Sequence, residues 1–312
     1  MKIHLRKSRI KIISYVFLLL SIFFVYRTAQ RLSINVQSLW HSIPSTGSIA
    51  LSILLLTLAN VLGAIEWAWL FQAIDDHVPI RSNIRIHLAS KLLKYLPGAI
   101  WPYLGKSYWS VENGAVPSCA TIGVALENLI IYTSGLLITA IAILIYPLPD
   151  MFPSLARWIA GGFIFFVCVG SVLLNTGVLS LPKIFLSRIP KSCSINTYVI
   201  TPVFISVTLT WIILIASYTT LIVDTGPIDL FWEELIQQAF SLPVALLGGQ
   251  LIVGIPMGLG IRESILIKLS SLSTTNVTMV ISASLLFRIE NLLVDFCVGV
   301  LAWLIKPNNP EG

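Results

Sequence analysis

Charge is scarce in this sequence. Asp, Glu, Lys and Arg make up 11% of the 312 residues, where an ordinary soluble domain carries roughly 25%. A water-facing surface for a chain of this size cannot be built from so few polar groups, which excludes a soluble globular protein. Disorder is excluded too, because a disordered chain is poor in apolar residues and rich in charge. Histidine is equally rare: His4, His41, His77 and His87 fall in tails and loops, with no HxxxH pair, and no DxxD carboxylate pair accompanies them. The sequence therefore calls for no catalytic residue, metal or cofactor. The four cysteines, Cys119, Cys168, Cys193 and Cys297, show neither CxxC spacing nor a framework of pairs. They read as small apolar packing residues.

Apolar residues fill the space that charge leaves. They make up 56% of the chain, and the mean hydropathy is +0.88. The runs are long enough for helices rather than barrel strands, so the fold class is an all-α polytopic membrane protein. The net charge of +6 fits the Lys/Arg excess of cytoplasmic loops beside anionic lipid. No nucleic-acid partner is expected.

Six runs are long enough to span: about 12–26, 48–74, 118–146, 157–176, 198–223 and 276–305. The first follows Lys2, Arg6, Lys7, Arg9 and Lys11, and no A-x-A-like site follows it, so it reads as an uncleaved helix with a cytoplasmic N-terminus. Two further stretches, about 84–111 and 234–272, are interrupted by Pro and Gly. They read as re-entrant hairpins, with full crossing and eight helices as the alternative; such backbone needs cover from protein or a wet cavity. With six spans, Lys2–Lys11, Arg81, Arg85, Lys91, Lys94, Lys106, Lys183, Arg188, Lys191 and Lys306 fall on the cytoplasmic side. Arg27, Arg31, Arg157 and Lys268 fall outside. This is the positive-inside pattern, with both termini cytoplasmic in a cell inner membrane.

The single membrane domain divides into halves, 1–150 and 151–312, each reading span, span, broken hairpin, span. An odd number of spans per half inverts the second relative to the first. The last span of each half carries Glu-Asn-Leu, Glu127-Asn128-Leu129 and Glu290-Asn291-Leu292, each followed about two turns later by Gly135 or Gly299. Pro97-Gly98 corresponds to Pro256-Met257-Gly258. Inverted repeats with paired broken segments point to a binding site at the membrane midplane.

Ionisable residues in spans cost at least ~2.5–3.5 kcal/mol each, so Glu66, Glu127, Arg262, Glu263, Arg288, Glu290 and Asp295 are candidates for a polar cavity. Interhelical ion pairs are the competing reading, and for Asn128 and Asn291 interhelical hydrogen bonding is as good an account. The segment 84–96, with Arg85, Lys91 and Lys94, reads as an amphipathic helix on the cytoplasmic surface. Trp101, Tyr103, Tyr108 and Trp109 read as an interfacial aromatic group. A helix beginning near Gly260 would offer free N–H groups to an anion, and Arg262 would add a forked donor suited to phosphate. Glu263 could neutralise Arg262 when the site is empty.

The runs Lys94-Tyr95-Leu96-Pro97-Gly98-x-x-Trp101 and Pro256-x-Gly258-Leu259-Gly260-x-Arg262-Glu263 resemble the signatures of the flippase-like membrane domain. That domain forms the transmembrane region of lysylphosphatidylglycerol synthases, and it also occurs alone and in polyprenyl-linked glycan pathways. The resemblance covers nearly the whole chain. It implies re-entrant elements, lipid translocation, and functional interest in Pro97, Gly98, Pro256, Gly258, Gly260, Arg262 and Glu263. No synthase domain follows Lys306, so aminoacyl transfer is not expected. The expected function is transport of an anionic lipid or a polyprenyl-phosphate-linked intermediate. The alternatives are an accessory subunit beside a membrane synthase or glycosyltransferase, and a lipid-dependent transferase.

Overall fold

The computed structural model describes residues 43–96, 100–145, 153–175, 193, 197–224, 228–251, 260–270 and 277–304. The first apolar run, Pro97-Gly98 and Pro256-Met257-Gly258 lie outside them. Among the described residues every regular element is a helix: α1 (Thr46–Gln72), α2 (Ile80–Ser90), a 3-10 turn (Lys91–Tyr95), α3 (Trp101–Glu112), α4 (Pro117–Ile145), α5 (Pro153–Asn175), α6 (Thr197–Val223), α7 (Ile228–Leu251), α8 (Ile261–Ser270) and α9 (Val277–Leu304).

Helices α1, α4 and most of α6 are long and apolar enough to cross a membrane. Helix α9 is as long but carries Arg288, Glu290 and Asp295. Leu54, Leu129, Ile205, Phe296 and Leu301 stand on the outside of the bundle, each about 60% exposed. Apolar groups spread over that much surface suit lipid, not water. The protein is an all-α membrane protein.

Helices α1 and α6 form the centre, packed along most of their length. Their register is antiparallel: the Asp224 carboxylate accepts from Ser45 N (2.9 Å) and Ser48 Oγ (2.8 Å), Ser52 meets Ser217, and Ser206 and Thr210 meet Glu66. The Ser45 side chain also caps α1 by accepting from Ser48 N. Around this pair, α4 packs on α7 and α9 on α2, while α3 lies on α4 and α8 on α9.

The two interrupted stretches are each a pair of touching helices. Helices α2, α3 and α8, of 11, 12 and 10 residues, are about 15–18 Å long at 1.5 Å per residue. That is half the hydrocarbon core. The α2 segment is not a surface helix, which corrects the amphipathic reading. It packs on α1, α3 and α9, and it buries Asn83, Ile86, His87 and Ser90. Lys91 and Lys94, in the turn after it, face a cavity, while Arg85 is half-buried and does not line that cavity.

Two further corrections concern residues read as loop or packing groups. His87 is buried inside α2. Cys119 and Cys193 form a disulfide across a separation of 74 residues, joining the start of α4 to the segment before α6. In the loop after α1, Asp75 accepts from Val116 N (2.9 Å), His77 N (3.1 Å) and His77 Nδ1 (2.7 Å). Burial works against the ionised Asp75 carboxyl, but these donors outweigh it and hold its pKa below the ordinary Asp value. The same hydrogen bond and charge hold the exposed His77 imidazole above its ordinary value.

Candidate functional site

A cavity of about 370 Å³ lies inside the bundle, within the range of small-molecule sites. Asn60, Ile131, Thr210 and Asn291 line it, and each sits near the midpoint of its long helix, α1, α4, α6 or α9. The broken pairs reach it by their tips. From the first come Lys91, Lys94, Pro102 and Tyr103, and from the second Leu246, Gly249, Gln250 and Arg262. A cavity with charged and amide groups on its wall, where broken helices meet at the middle of the long ones, is the kind of place in which irregular backbone is tolerated in a membrane.

Most charges in the bundle are paired. Lys106 Nζ donates to both oxygens of Glu127, at 2.7 and 2.6 Å. His87 Nδ1 lies 3.0 Å from Lys106 Nζ and 3.3 Å from Glu127 Oε1, and its Nε2 has no partner. Lys106 also stands over the Trp67 ring, 4.4 Å from its centre. Lys94 pairs with Asp295, which also accepts from Tyr95 Oη at 2.7 Å. Arg288 Nε and Nη2 donate to the two oxygens of Glu263 at 2.6 and 2.9 Å.

Among the described residues, two cations on the cavity wall pair with no carboxylate. Lys91 donates only to the amide oxygen of Asn60. Arg262, 4% exposed, leaves Nε and Nη2 without a partner among the described residues. Its guanidinium lies over the Phe287 ring, 5.2 Å from the centre. That ring contact stabilises a cation but satisfies none of its in-plane N–H donors. The expectation that Glu263 neutralises Arg262 is overturned. Successive helical residues diverge, and Glu263 turns to Arg288 and back to the Gly260 N–H, at 2.8 Å. The same bond uses one of the donors at the start of α8, the Gly260 N–H. Gly260 itself has φ +82°, which favours glycine there.

Of the residues singled out in the sequence, the cavity brings together Arg262, Lys91, Lys94, Tyr103, Glu127, Asn128 and Glu66, with Asn291. Asn128 and Asn291 do the same thing on α4 and α9: each donates to the carbonyl four residues back, at 2.7 Å. The others leave the site. Glu290 accepts from Ser52, beside Ser217, and does not line the cavity. Arg288 and Glu263 are held in their ion pair. Trp101 is 37% exposed at the start of α3. Pro97, Gly98, Pro256 and Gly258 lie outside the described residues. Lys106, His87 and Asn60 were not singled out. Lys106 had been counted with the loop cations, and no local spacing tied it to Glu127, 21 residues away.

No protein-family model matches the chain, and no curated protein matches it either.

Proposed function

We propose that the protein carries an anionic lipid, or a polyprenyl-phosphate-linked intermediate, across the cytoplasmic membrane, as the flippase-like resemblance of its two motifs implies. The observation that carries this reading is Arg262: a buried guanidinium on a mid-bundle cavity with two unpartnered nitrogens. A cation at membrane depth needs an anion, and a phosphate matches its fork. Lys91 supplies a second positive charge on the same wall.

The inverted repeat is part of the proposal, and the packing supports it. Exchanging α1 with α6, α2–α3 with α7–α8, and α4 with α9 maps the neighbours among these helices onto themselves. The paired glycines do equivalent work. A Cβ on Gly135 would lie 3.2 Å from Leu247 of α7, and one on Gly299 would lie 2.7 Å from Leu92 just after α2. Two inverted halves with a shared site between them suit alternating access.

The test is reconstitution. Purified protein in liposomes should move a fluorescent phosphatidylglycerol between leaflets faster than protein-free liposomes do, and should move a neutral diacylglycerol analogue no faster. Equal rates with and without protein would refute the proposal.

A further inference from the structure

Glu66 is the carboxylate on the cavity wall that no cation meets. It lies in α1, 6% exposed, one to two turns from Asn60 and Gly63. Its Oε1 accepts from Ser206 Oγ at 2.8 Å and Thr210 Oγ1 at 2.7 Å. Neither hydroxyl carries a charge, and no Lys, Arg or His lies within ion-pair distance of Glu66 among the described residues. The contrast with Glu127 is chemical: Glu127 is clasped by an ammonium, Glu66 by two alcohols. Alcohols can serve either protonation state of a carboxyl, because each hydroxyl turns to donate or accept.

The charged groups facing Glu66 are few. Helix α2 presents His87 to the same cavity, the 3-10 turn presents Lys91 and Lys94, α3 presents Tyr103 and Lys106, α4 presents Glu127, and α8 presents Arg262; α6 presents only the two hydroxyls and apolar groups, and α9 presents Asn291. Lys106 is committed to Glu127 and Lys94 to Asp295, and Lys91 is the cation whose charge acts on Glu66. Lys91 is also one of the two cations left for an anion. An anion and an ionised Glu66 therefore compete for one ammonium and repel each other inside one low-dielectric space.

We propose that Glu66 is a proton-binding site coupled to the anion site, so that the cavity takes up one proton together with each phosphate-bearing anion. This rests on reading the cavity as an anion site. The proton neutralises the carboxyl when the anion engages Lys91 and Arg262, and it leaves when the anion leaves. A site that binds both together moves the anion toward the side of higher pH, which supplies an energy source for transport.

The experiment is calorimetric binding of short-chain phosphatidylglycerol to the full chain in detergent from pH 5 to 9, with proton uptake read from two buffers of different ionisation heat. The probe is a phosphodiester and has no titration of its own in that range. Glycerophosphoglycerol, the same headgroup without chains, runs in parallel to separate a lipid ligand from a free phosphate ester. The wild type should bind more weakly as pH rises, by up to tenfold per unit over part of the range, and should take up as much as one proton per probe. Glu66→Gln mimics the protonated carboxyl, so its affinity should stay at the acid-side value and its proton uptake should vanish. Thr210→Val removes a donor that favours the ionised form and should move the pH midpoint upward, which keeps the test alive if Glu66→Gln fails to fold. Wild-type binding that is independent of pH, proton uptake that persists in Glu66→Gln, or an unmoved midpoint in Thr210→Val would overturn the proton site. Failure of either probe to bind at any pH would instead overturn the anion site on which it rests.

Discussion

Arg288 holds Glu263 by two hydrogen bonds, and Arg262 beside it has no ion-pair partner among the described residues. The pair joins α8 to α9 through Nε–Oε1 at 2.6 Å and Nη2–Oε2 at 2.9 Å. Glu263 spends its remaining hydrogen bonding on Gly260 N and Ser284 Oγ. The bundle thus uses one acidic residue to brace a short helix, and the guanidinium next to it is left without an ion pair among the described residues. Buried charge is seldom left this way without a ligand.

The Lys106–Glu127 pair should behave as bracing. Both side chains are about nine-tenths buried, and removing one partner strands the other. Lys106→Met should lower stability by about 3–5 kcal/mol, and adding Glu127→Leu should recover most of that loss. Thermal unfolding in detergent, followed by tryptophan fluorescence, checks the order of the three proteins.

The paired glycines make a packing prediction. In Gly299→Ala the new Cβ meets Leu92 at 2.7 Å, an overpacking of α9 on the end of α2 that should cost about 1–3 kcal/mol. Leu92→Ala in the same chain should relieve it. Gly162→Ala in α5, where nothing lies within 4 Å, should leave the melting temperature unchanged.

The helices were legible because apolar runs of spanning length have few other solutions in lipid. The interrupted stretches were legible because Pro and Gly stop a helix where the apolar pattern continues. Arg262 stood out from its neighbours Gly258 and Gly260 and from the cost of its charge. What the sequence could not show was partnership. Lys106 meets Glu127 and His87, and Lys94 meets Asp295, through contacts between helices set by rotation and depth. Neither leaves a periodic trace. Glu263 looked like the partner of Arg262 because it is adjacent, yet a helix sends adjacent side chains about 100° apart. The Cys119–Cys193 bond joins positions whose spacing carries no motif.

The positive-inside expectation would put that disulfide, at the start of α4, at the cytoplasmic end of the bundle. Cytoplasmic thiols are kept reduced, so the charge rule predicts that cells quenched with a permeant alkylating agent yield Cys119 and Cys193 as labelled thiols. The bond should form only after purification in air, and it should then raise stability by about 2–4 kcal/mol. Mass spectrometry of the alkylated peptides reads the outcome. A disulfide already present in quenched cells would place this end on the outer side.

Arg262 decides the account most directly. Wild-type, Arg262→Lys and Arg262→Ala proteins, each checked for a wild-type melting temperature, are to be compared for translocation of fluorescent phosphatidylglycerol in liposomes. Lysine keeps the charge but loses the planar fork, so its rate should fall by at least tenfold, and alanine should fall to the protein-free rate. Folded Arg262→Ala protein that moves the lipid at the wild-type rate would contradict the assignment of this cavity to an anionic headgroup.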